Sequence, residues 1–548
     1  KRKSHPGKPL RTPDAVQPEK SGAVKEEALF MDEWEGRMKG ATFRDALVNA
    51  IAKGGDNTAL TFLREGEPAS VLPYSRLGEH SNRMANTFLS FGVEKGDRVA
   101  FFMEKSVFFV LAHIGLQKIG GIGVPLNPGF KQSEMEYLLG DAEPKLVLVS
   151  DDAHEAIVQT SLPGVAVLNT AGRISYEDLE FFKTASTDAP KVPLEPSDPG
   201  IIIYTSGTTG KPKGAVLTQQ NLLHDARNVI QIWEIKESDV LCHALPLFHV
   251  HGLCFALHTC LLAGAHAVLL DQFSPDVVID VLRGKAASPL CTLFMAVPAM
   301  YNKLMDSLGD NPPDFAHIRL WTSGSAPLLA KDFDRIRRIL GKEPVEREGM
   351  SETGMNFSNP VRGKRKPGSI GLPLPELEVR IVDPETLTDL PPGETGEIWL
   401  KGPGITPGYW RKPEETEKTF YEGWFRSGDL GHVDDEGYYF LTDRTKHIII
   451  SGGENISPKE VESVINRLDA VQECSVVGLP DEKWGEKVAA AVVVKAAASL
   501  NEEEVKRFCK EHLHDWKCPK EIVFLNELPK NTMGKVLKEE VKRAFDRA

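Results

Sequence analysis

The chain has 548 residues, of which 41% are hydrophobic and 26% are charged, and its formal net charge at pH 7 is -13. This composition is typical of a globular protein, and the length exceeds what one hydrophobic core usually organises, so several domains are expected. The acidic balance argues against a nucleic-acid binder, because neutralising a phosphate backbone requires a basic face.

The first residues, from 1 to about 28, are polar and show no apolar period, which predicts a disordered leader. Seven cysteines without a C-x-x-C pair or a zinc-like Cys/His spacing favour a reducing compartment, and we expect the cytoplasm. The basic residues of the leader keep the mitochondrial matrix as an alternative, although no amphipathic arginine-rich helix supports import.

From Thr42 onward the apolar pattern alternates between helical and strand spacing. The predicted order is helix, strand, helix, strand, helix, strand, over Leu77 to Phe91, Arg98 to Phe102, Val107 to Ile119, Ile122 to Pro125, Glu134 to Leu139 and Lys145 to Val149. Such alternation indicates a parallel sheet with crossover helices.

The stretch from Tyr204 to Gly214 carries four Ser/Thr hydroxyls, three glycines and two lysines in eleven residues, directly after the apolar run Ile201 to Ile203. Glycines let backbone amides approach an anion, and hydroxyls and lysines add donors and positive charge, so the stretch predicts a polyphosphate cradle. It is not the P-loop of the NTPases, because Pro212 interrupts the run and Gly214 leads to an alanine.

The pattern of apolar and turn-forming residues changes twice in the second half of the chain. The longest apolar run, Cys254 to Leu270, contains two histidines and is too short to span a bilayer, so we interpret it as a buried helix and strand. Short strands between Gly- and Pro-rich turns over Val379 to Tyr439 predict a β-rich subdomain, and alternation from Glu460 onward predicts a small α/β unit.

Taken together, the motifs resemble the ordered signature of adenylate-forming enzymes, the acyl-CoA synthetase and luciferase superfamily. The resemblance covers roughly Thr42 to Phe545 and rests on the segments Tyr204 to Gly214, Ser323 to Pro327, Glu348 to Thr353, Trp424 to Asp429, Asp443 to Lys446 and Asn531 to Lys535. One such motif is weak, but six in this order are specific.

The resemblance implies an α/β fold: a large N-terminal domain of parallel α/β sheets plus a β-rich subdomain, followed by a small mobile α+β domain. The expected boundaries are a leader over 1–28, a large domain over 29–443, a hinge over 444–446 and a small domain over 447–548. A carboxylic acid would attack Mg²⁺-ATP to give acyl-AMP and pyrophosphate, and coenzyme A would then displace AMP. A monomer or homodimer is expected.

The resemblance also assigns roles to particular residues. Catalytic roles fall to Lys535, Thr205 and Glu352, and Glu352 would also hold Mg²⁺, since that hard cation prefers oxygen ligands. The hinge residue would be Lys446. The expected nucleotide-binding residues are Thr205, Ser206, Gly207, Thr208, Thr209, Gly210, Lys213, Gly324, Ser325, Ala326, Glu348, Gly349, Met350, Ser351, Asp429 and Arg444. The expected residues on the coenzyme A side are Ser451, Gly452, Gly453 and Trp484.

Two positions depart from the family pattern. The residue before Gly349, commonly a tyrosine that stacks on adenine, is Glu348, and an acid that often follows the hinge lysine is His447. A glutamate offers less dispersion than an aromatic face, so it would contact the adenine amino group or the ribose instead.

The acid substrate is indicated by the segment Glu346 to Pro360, which is similar to the malonyl-CoA synthetase branch. That similarity places His249 and Arg347 in the acid pocket, where we also expect Ser323 and Met355. The alternative for His249 is a gate residue of an acyl tunnel. The alternatives are a structural salt bridge of Arg347 with a neighbouring glutamate, a ligase for a fatty or aryl acid, and a catalytically silent nucleotide or acyl-CoA sensor. Since a buried unpaired anion is very costly, a diacid would require a cation such as Arg347.

Overall fold

The computed structural model describes residues 42–171, 175–205, 211–285, 289–309, 312–444, 447–451, 454–481, 484–496, 498–531 and 534–546. Residues 42–548 form one compact unit. The predicted leader, the loop residues Ser206 to Gly210, the hinge residue Lys446 and the pair Gly452 and Gly453 lie outside the described residues.

The helices combine apolar faces with local caps. Numbered along the described chain, they are α1 (Phe43–Gly54), α2 (Tyr74–Ser90), α3 (Val107–Ile119), α4 (Gln132–Ala142), α5 (Asp152–Ser161), α6 (Glu180–Thr184), α7 (Gln219–Ile232), α8 (Thr259–Leu262), α9 (Pro275–Leu282), α10 (Pro298–Leu308), α11 (Ala330–Leu340), α12 (Pro413–Thr419), α13 (Pro458–Ile465), α14 (Glu502–His512) and α15 (Lys538–Phe545), with a π-helix over His251–His258. Helix α3 shows the principle: the Phe109 amide donates to Ser106 Oγ at its start, and Gly120 ends it with φ +73°.

The strands follow the short apolar runs of the sequence. They are β1 (Thr58–Arg64), β2 (Glu67–Pro73), β3 (Arg98–Phe102), β4 (Ile122–Pro125), β5 (Leu146–Val149), β6 (Ala166–Asn169), β7 (Pro199–Thr205), β8 (Lys213–Thr218), β9 (Val240–His243), β10 (His266–Leu270), β11 (Leu293–Ala296), β12 (Leu320–Ser323), β13 (Val345–Met350), β14 (Gly354–Ser358), β15 (Leu372–Pro373), β16 (Glu378–Val382), β17 (Gly396–Lys401), β18 (Phe420–Tyr421), β19 (Trp424–Val433), β20 (Tyr439–Arg444), β21 (Ile449–Ser451), β22 (Glu454–Ile456), β23 (Val471–Asp481), β24 (Gly485–Val494) and β25 (Glu521–Leu525).

Two α/β sheets form most of the large N-terminal part. A six-stranded sheet has the order β6-β5-β3-β4-β7-β8 and is parallel except for the β7/β8 pair. A nine-stranded sheet has the order β15-β14-β13-β12-β11-β9-β10-β1-β2 and is parallel from β13 to β1. The predicted alternation of helices and strands is therefore confirmed, with each predicted element found within a few residues of its expected bounds.

Two smaller sheets complete the fold. The β-rich subdomain is a sheet in the order β16-β17-β19-β18, with β20 paired to β19. The last sheet, in the order β22-β21-β24-β23 with β25 on β24, is made entirely of residues after position 446. This is the mixed α/β class that the sequence predicts, and the domain boundaries themselves stay predictions.

The apolar run from Cys254 to Leu270 forms the π-helix, α8 and β10, all largely buried, as the sequence predicts. All seven cysteines fall within described residues and are buried thiols. None of the described helices is long and apolar enough to cross a membrane.

Candidate active site

The start of the Gly/Thr-rich stretch lies at the end of β7. The Thr205 hydroxyl donates to Glu352 Oε1 at 3.3 Å, so the loop and the acid that the sequence assigns to one site do meet. Lys213, at the start of β8, forms an ion pair with Glu415 and lies 5.3 Å from the ring centroid of Tyr409. The residues between them, Ser206 to Gly210, lie outside the described chain.

Glu352 is held by a residue that the sequence analysis did not identify. The Tyr409 hydroxyl donates to Glu352 Oε1 at 3.0 Å, and burial raises the pKa of Tyr409, so the hydroxyl stays a donor. Tyr409 reaches this place because its backbone pairs with Ala215 beside the phosphate loop. The only sequence signal was an aromatic pair, Tyr409 and Trp410, in a Gly- and Pro-rich turn.

Glu352 fits the magnesium role assigned to it. It is 8% exposed, and among the described residues no group of three or more His, Cys, Asp or Glu side chains forms a protein-only metal site. Mg²⁺ commonly binds to one carboxylate together with substrate phosphates, so a single acid beside a phosphate loop is a suitable donor set.

Asp429 and Arg444, which are expected near the ribose of the nucleotide, lie opposite each other on two neighbouring strands. Asp429 on β19 faces Arg444 on β20, and the Arg444 Nε atom lies 2.7 Å from Asp429 Oδ1. The Glu348 side chain accepts a hydrogen bond from Asn356 at 3.0 Å. Burial raises the pKa of Glu348 to about 7, and the nearby charge of Asp429 adds to this effect.

These groups line a small cavity between the nine-stranded sheet and the β-rich sheet. Its walls are Glu348, Met350, Asn356, Phe357, Ile398, Leu400, Ser427, Asp429 and Leu441. Glu348 and Asp429 thus line the same cavity. Glu348, which stands where the family commonly has a tyrosine, therefore lies near Asp429, the residue expected to contact the ribose. Of the next three residues, Gly349 to Ser351, Met350 lines the cavity. Gly349 packs so closely that an added Cβ would lie 2.6 Å from the Gly354 carbonyl oxygen.

Arg347 is buried without hydrogen-bond partners. It is 2% exposed, and its Nε and both terminal nitrogens lack a partner in the described structure. The guanidinium lies 5.1 Å from the Phe255 ring centroid, and a Cβ added to Gly324 would lie 2.5 Å from Nε. Burial lowers its pKa to about 10, so it stays charged at neutral pH.

The alternative of a structural salt bridge is not observed. The Glu346 carboxylate instead accepts hydrogen bonds from the Leu328 amide at 3.5 Å and the Gly368 amide at 3.3 Å. Glu348 interacts with Arg347 electrostatically, but its carboxylate accepts a hydrogen bond from Asn356. Adjacent strand residues point to opposite faces, which explains why Glu346 cannot reach the guanidinium.

Two further buried polar atoms, on Ser323 and His251, also lack hydrogen-bond partners among the described residues. The Ser323 hydroxyl, at the end of β12, is buried and unpaired. His251 Nδ1 lies 3.2 Å from the Ser325 hydroxyl, while its Nε2 atom is buried and unpaired. Burial lowers the pKa of His251 far below its usual range, and the charge of Arg347 contributes, so the imidazole is neutral.

Of the two nearby histidines, His249 and His251, only His249 is a predicted residue of the acid pocket. His249 lies beside Phe248 with ring centroids 5.1 Å apart, and burial lowers its pKa to about 4. Of the other predicted residues, Met355 is buried, with 4% of its surface exposed. Ser325 has a left-handed backbone conformation, with φ +68°, and Ala326 follows it. The spacing of apolar residues could not single out His251, because a π-helix begins there and changes which side chains share a face.

Lys535 lies in an exposed loop at the end of the chain. Its amide donates to Asn531 Oδ1 at 2.9 Å, and a Cβ on the preceding Gly534 would lie 3.0 Å from Ala299 Cβ on α10. The loop therefore touches the helix that follows β11. On the expected coenzyme A side, Ser451 pairs with Gly485 across β21 and β24, next to Trp484, which is 47% exposed.

Comparisons with known proteins agree with this arrangement. The model of the AMP-binding enzyme family matches residues 47–410, and that of the AMP-binding enzyme C-terminal domain matches residues 460–535. A long-chain-fatty-acid–CoA ligase of Bacillus subtilis is 32% identical over 534 residues, covering 91% of this chain and 94% of that protein.

One further relative is named for a different substrate, and one similar solved structure contains bound ATP. The mitochondrial malonate–CoA ligase ACSF3 of Mus musculus is 34% identical over 481 residues, covering 81% of each chain. The crystal structure of ATP-bound MatB from Rhodopseudomonas palustris matches with a TM-score of 0.84 at 35% identity, covering 91% of this chain and 99% of that one.

Proposed function

Since the chain belongs to the AMP-binding enzyme family and is an AMP-forming acid–CoA ligase, we propose that its preferred acid is a small dicarboxylate such as malonate. The observation that carries this proposal is the buried guanidinium of Arg347, whose three nitrogens have no hydrogen-bond partner among the described residues. A buried charge that makes no hydrogen bond is costly, so a ligand carboxylate that accepts hydrogen bonds from the guanidinium would stabilise the site.

The geometry of the donors suits a second carboxylate. A guanidinium can donate two parallel hydrogen bonds to a carboxylate, which is stronger and more directional than contact with a neutral group. When the Ser325 hydroxyl donates to Nδ1, His251 carries its ring proton on Nε2 and that buried atom is a further hydrogen-bond donor. Phe255 closes one side of the guanidinium and excludes water there.

The first half-reaction would join the other carboxylate to the α-phosphate of ATP. Thr205 and the loop that follows it would hold the phosphates, and Asp429 with Arg444 would hold the ribose. Lys535 would offset the negative charge that accumulates as the carboxylate meets the α-phosphate. Mg²⁺ held by Glu352 and the phosphates would supply further charge neutralisation.

The second half-reaction would use the thiol of coenzyme A, with release of AMP. The region of Ser451 and Trp484 would face this substrate after the small domain turns about Lys446, so that one cleft serves both steps. Support for these roles comes from the order of the motifs and from the proximity of Thr205, Glu352, Asp429 and Arg444.

The test is the ratio of kcat/KM for malonate to kcat/KM for butyrate, which cancels defects in ATP binding and folding. Arg347→Leu removes one partner of the proposed buried charge pair, so the malonate reaction should lose about 3 to 5 kcal/mol of transition-state stabilisation while butyrate changes little. Arg380→Leu removes a guanidinium paired with Asp389 on the β-rich sheet and serves as the matched control.

A wild-type enzyme that prefers butyrate would reject the dicarboxylate, as would an Arg347→Leu variant in which both acids fall together. Either result would favour a fatty or aryl acid. The ligase from Bacillus subtilis bears such a name, and the aromatic rings of Phe248 and Phe255 beside the pocket could pack against an apolar chain.

A further inference from the structure

Lys213, a lysine expected to bind the nucleotide, has an anionic partner within the protein. Its Nζ atom donates to Glu415 Oε2, on α12, and the two side chains are 12% and 27% exposed. The same ammonium lies 5.3 Å from the centroid of the Tyr409 ring, which shields it from water on one side. The reaction described above gives Glu415 no role.

The position of Lys213 brings this ion pair to the phosphate site. Lys213 pairs with Thr205 across β7 and β8, so the lysine stands opposite the residue whose hydroxyl donates to Glu352. Tyr409, the ring beside the ammonium, donates to the same Glu352 oxygen. The lysine therefore belongs to the same cluster of side chains as the carboxylate that we assign to Mg²⁺.

We propose that Glu415 is a positioning residue that competes with the nucleotide phosphates for the ammonium of Lys213, and thereby limits the affinity of the site for ATP and pyrophosphate. The inference rests on the proposed function, in which this region holds the phosphates. One ammonium has three donors and a single charge, so a carboxylate paired with it lowers its attraction for a second anion. The apparent affinity is the intrinsic affinity multiplied by the fraction of molecules in which the lysine is available.

Glu415 can release Lys213 without becoming an unpaired acid. Its other oxygen, Oε1, lies 3.2 Å from the Nζ atom of Lys418, three residues along α12. The carboxylate is also partly exposed, so it keeps both an ion-pair partner and contact with water after Lys213 turns to a phosphate. The exchange of partners therefore costs Glu415 little, as expected for a residue that holds its lysine reversibly.

A purely structural role for Glu415 would be to anchor α12, but other contacts anchor that helix. The Thr416 hydroxyl accepts a hydrogen bond from the Tyr409 amide and donates to the Lys412 carbonyl oxygen, both at 2.9 Å. A Cβ added to Gly408 would lie 2.5 Å from Thr416 Cγ2, so the turn and the helix are closely packed. An anchoring role predicts that loss of Glu415 loosens Tyr409 and weakens nucleotide binding, whereas competition predicts tighter binding.

The experiment measures the dissociation constants of Mg²⁺-ATP and of inorganic pyrophosphate with Mg²⁺ by calorimetry, without an acid substrate so that no acyl-AMP forms. Glu415→Gln keeps the size of the side chain and removes its charge. It should tighten the binding of both ligands about fivefold, as expected for the loss of one partly exposed ion pair. Glu414→Gln, which removes the neighbouring exposed charge of α12, is the matched control and should leave both constants nearly unchanged.

A double-mutant cycle shows whether the effect of Glu415 passes through Lys213. Lys213→Met removes the shared charge and should weaken the binding of ATP and pyrophosphate, and Glu415→Gln should then produce no tightening. If the lost negative charge instead acted on the phosphates directly, the tightening would be equal with and without Lys213, and that result overturns the inference. So does weaker or unchanged binding in Glu415→Gln alone.

Failure of the proposed function looks different. If Lys213→Met binds ATP as well as the wild-type protein does, Lys213 is not part of the nucleotide site, and the role of Glu415 falls with that assignment. If Lys213→Met weakens binding but Glu415→Gln does not tighten it, only the role of Glu415 is rejected. Because these titrations contain no acid, a preference for butyrate over malonate would reject the dicarboxylate and leave the role of Glu415 standing.

Discussion

Lys535 has an exposed side chain, and its loop meets the large domain at Ala299. Because we assign the lysine only to the first transition state, Lys535→Ala should lower acyl-AMP formation by at least 100- to 1,000-fold, as typical when one charge-stabilising donor is lost. Pyrophosphate release measures this step, and thioester formation from supplied acyl-AMP measures the second, which should be spared. Lys530→Ala, which removes a lysine paired with Glu473, is the control. Equal loss of both steps in Lys535→Ala would contradict the assignment.

Tyr409 allows a test at the other end of the phosphate site. Tyr409→Phe removes the donor to Glu352 Oε1 and keeps the ring beside Lys213. We expect the Mg²⁺ concentration for half-maximal pyrophosphate release to rise about tenfold, since groups that orient a metal-binding carboxylate typically contribute 10- to 100-fold. Tyr421→Phe, at an exposed tyrosine of β18, should change nothing. An unaltered Mg²⁺ requirement in Tyr409→Phe would show that Glu352 needs no such support.

At the scale of single elements, the π-helix supplies two side chains to the region of the proposed acid pocket. It brings His251 toward Ser325 and Phe255 toward Arg347 from one short segment. Gly252 makes this possible, because a Cβ there would lie 2.0 Å from the Pro246 carbonyl oxygen, far inside any contact distance. The backbone of the loop before the helix and the helix itself are therefore packed directly against each other.

Gly252→Ala should consequently lower the free energy of unfolding by about 1 to 3 kcal/mol, as is usual when a methyl group is forced into a packed core. Thermal denaturation would record the loss. Gly140→Ala on α4 is the matched control, because nothing lies within 4 Å of its added Cβ, and alanine is the better helix former. A Gly252→Ala protein as stable as wild type would mean that the Pro246 loop moves aside without cost.

At the scale of the whole molecule, Asp443 connects the two sides of the predicted hinge. Its carboxylate accepts hydrogen bonds from the Ser457 hydroxyl and the Lys459 amide, both at 3.0 Å, at the start of α13. Burial alone would raise the pKa of Asp443, but the hydrogen bond from His447 and the charge of Lys538 outweigh it and lower the pKa to about 2. The stability that this carboxylate contributes is therefore complete above about pH 4 and is lost as pH falls toward 2.

Turning of the small domain about residues 444–446 would break these contacts, so they favour the present arrangement. Asp443→Asn should slow acyl-AMP formation several-fold, by the same factor from pH 6 to 9, and leave thioester formation from supplied acyl-AMP nearly unchanged. Single-turnover measurements of each step give the answer, with the surface variant Asp383→Asn as control. A variant that slows only the thioester step would place the present arrangement in the second half-reaction instead.

Much of the fold could be predicted because its signals are local. The helix over Val107–Ile119 and the strands over Arg98–Phe102 and Ile122–Pro125 have the predicted bounds, since apolar runs end there at glycines or caps. The sequence motifs named both Asp429 and Arg444. That the two residues face each other follows from the register of β19 and β20.

The sequence by itself determined the family and the α/β class, and it named the polar residues that we assign to the phosphate and ribose sites, because each is encoded in a short segment with its own chemistry. Only the tertiary structure decided that the Arg347 guanidinium makes no hydrogen bond within the described chain, that His251 lies beside Ser325, that Asp225 accepts from the Met355 amide and that Tyr409 donates to Glu352. These facts depend on contacts between segments more than fifty residues apart, such as Asp225 with Met355 and Tyr409 with Glu352. No local period or motif records such contacts, since burial and charge at a site are set by whichever distant elements pack against it.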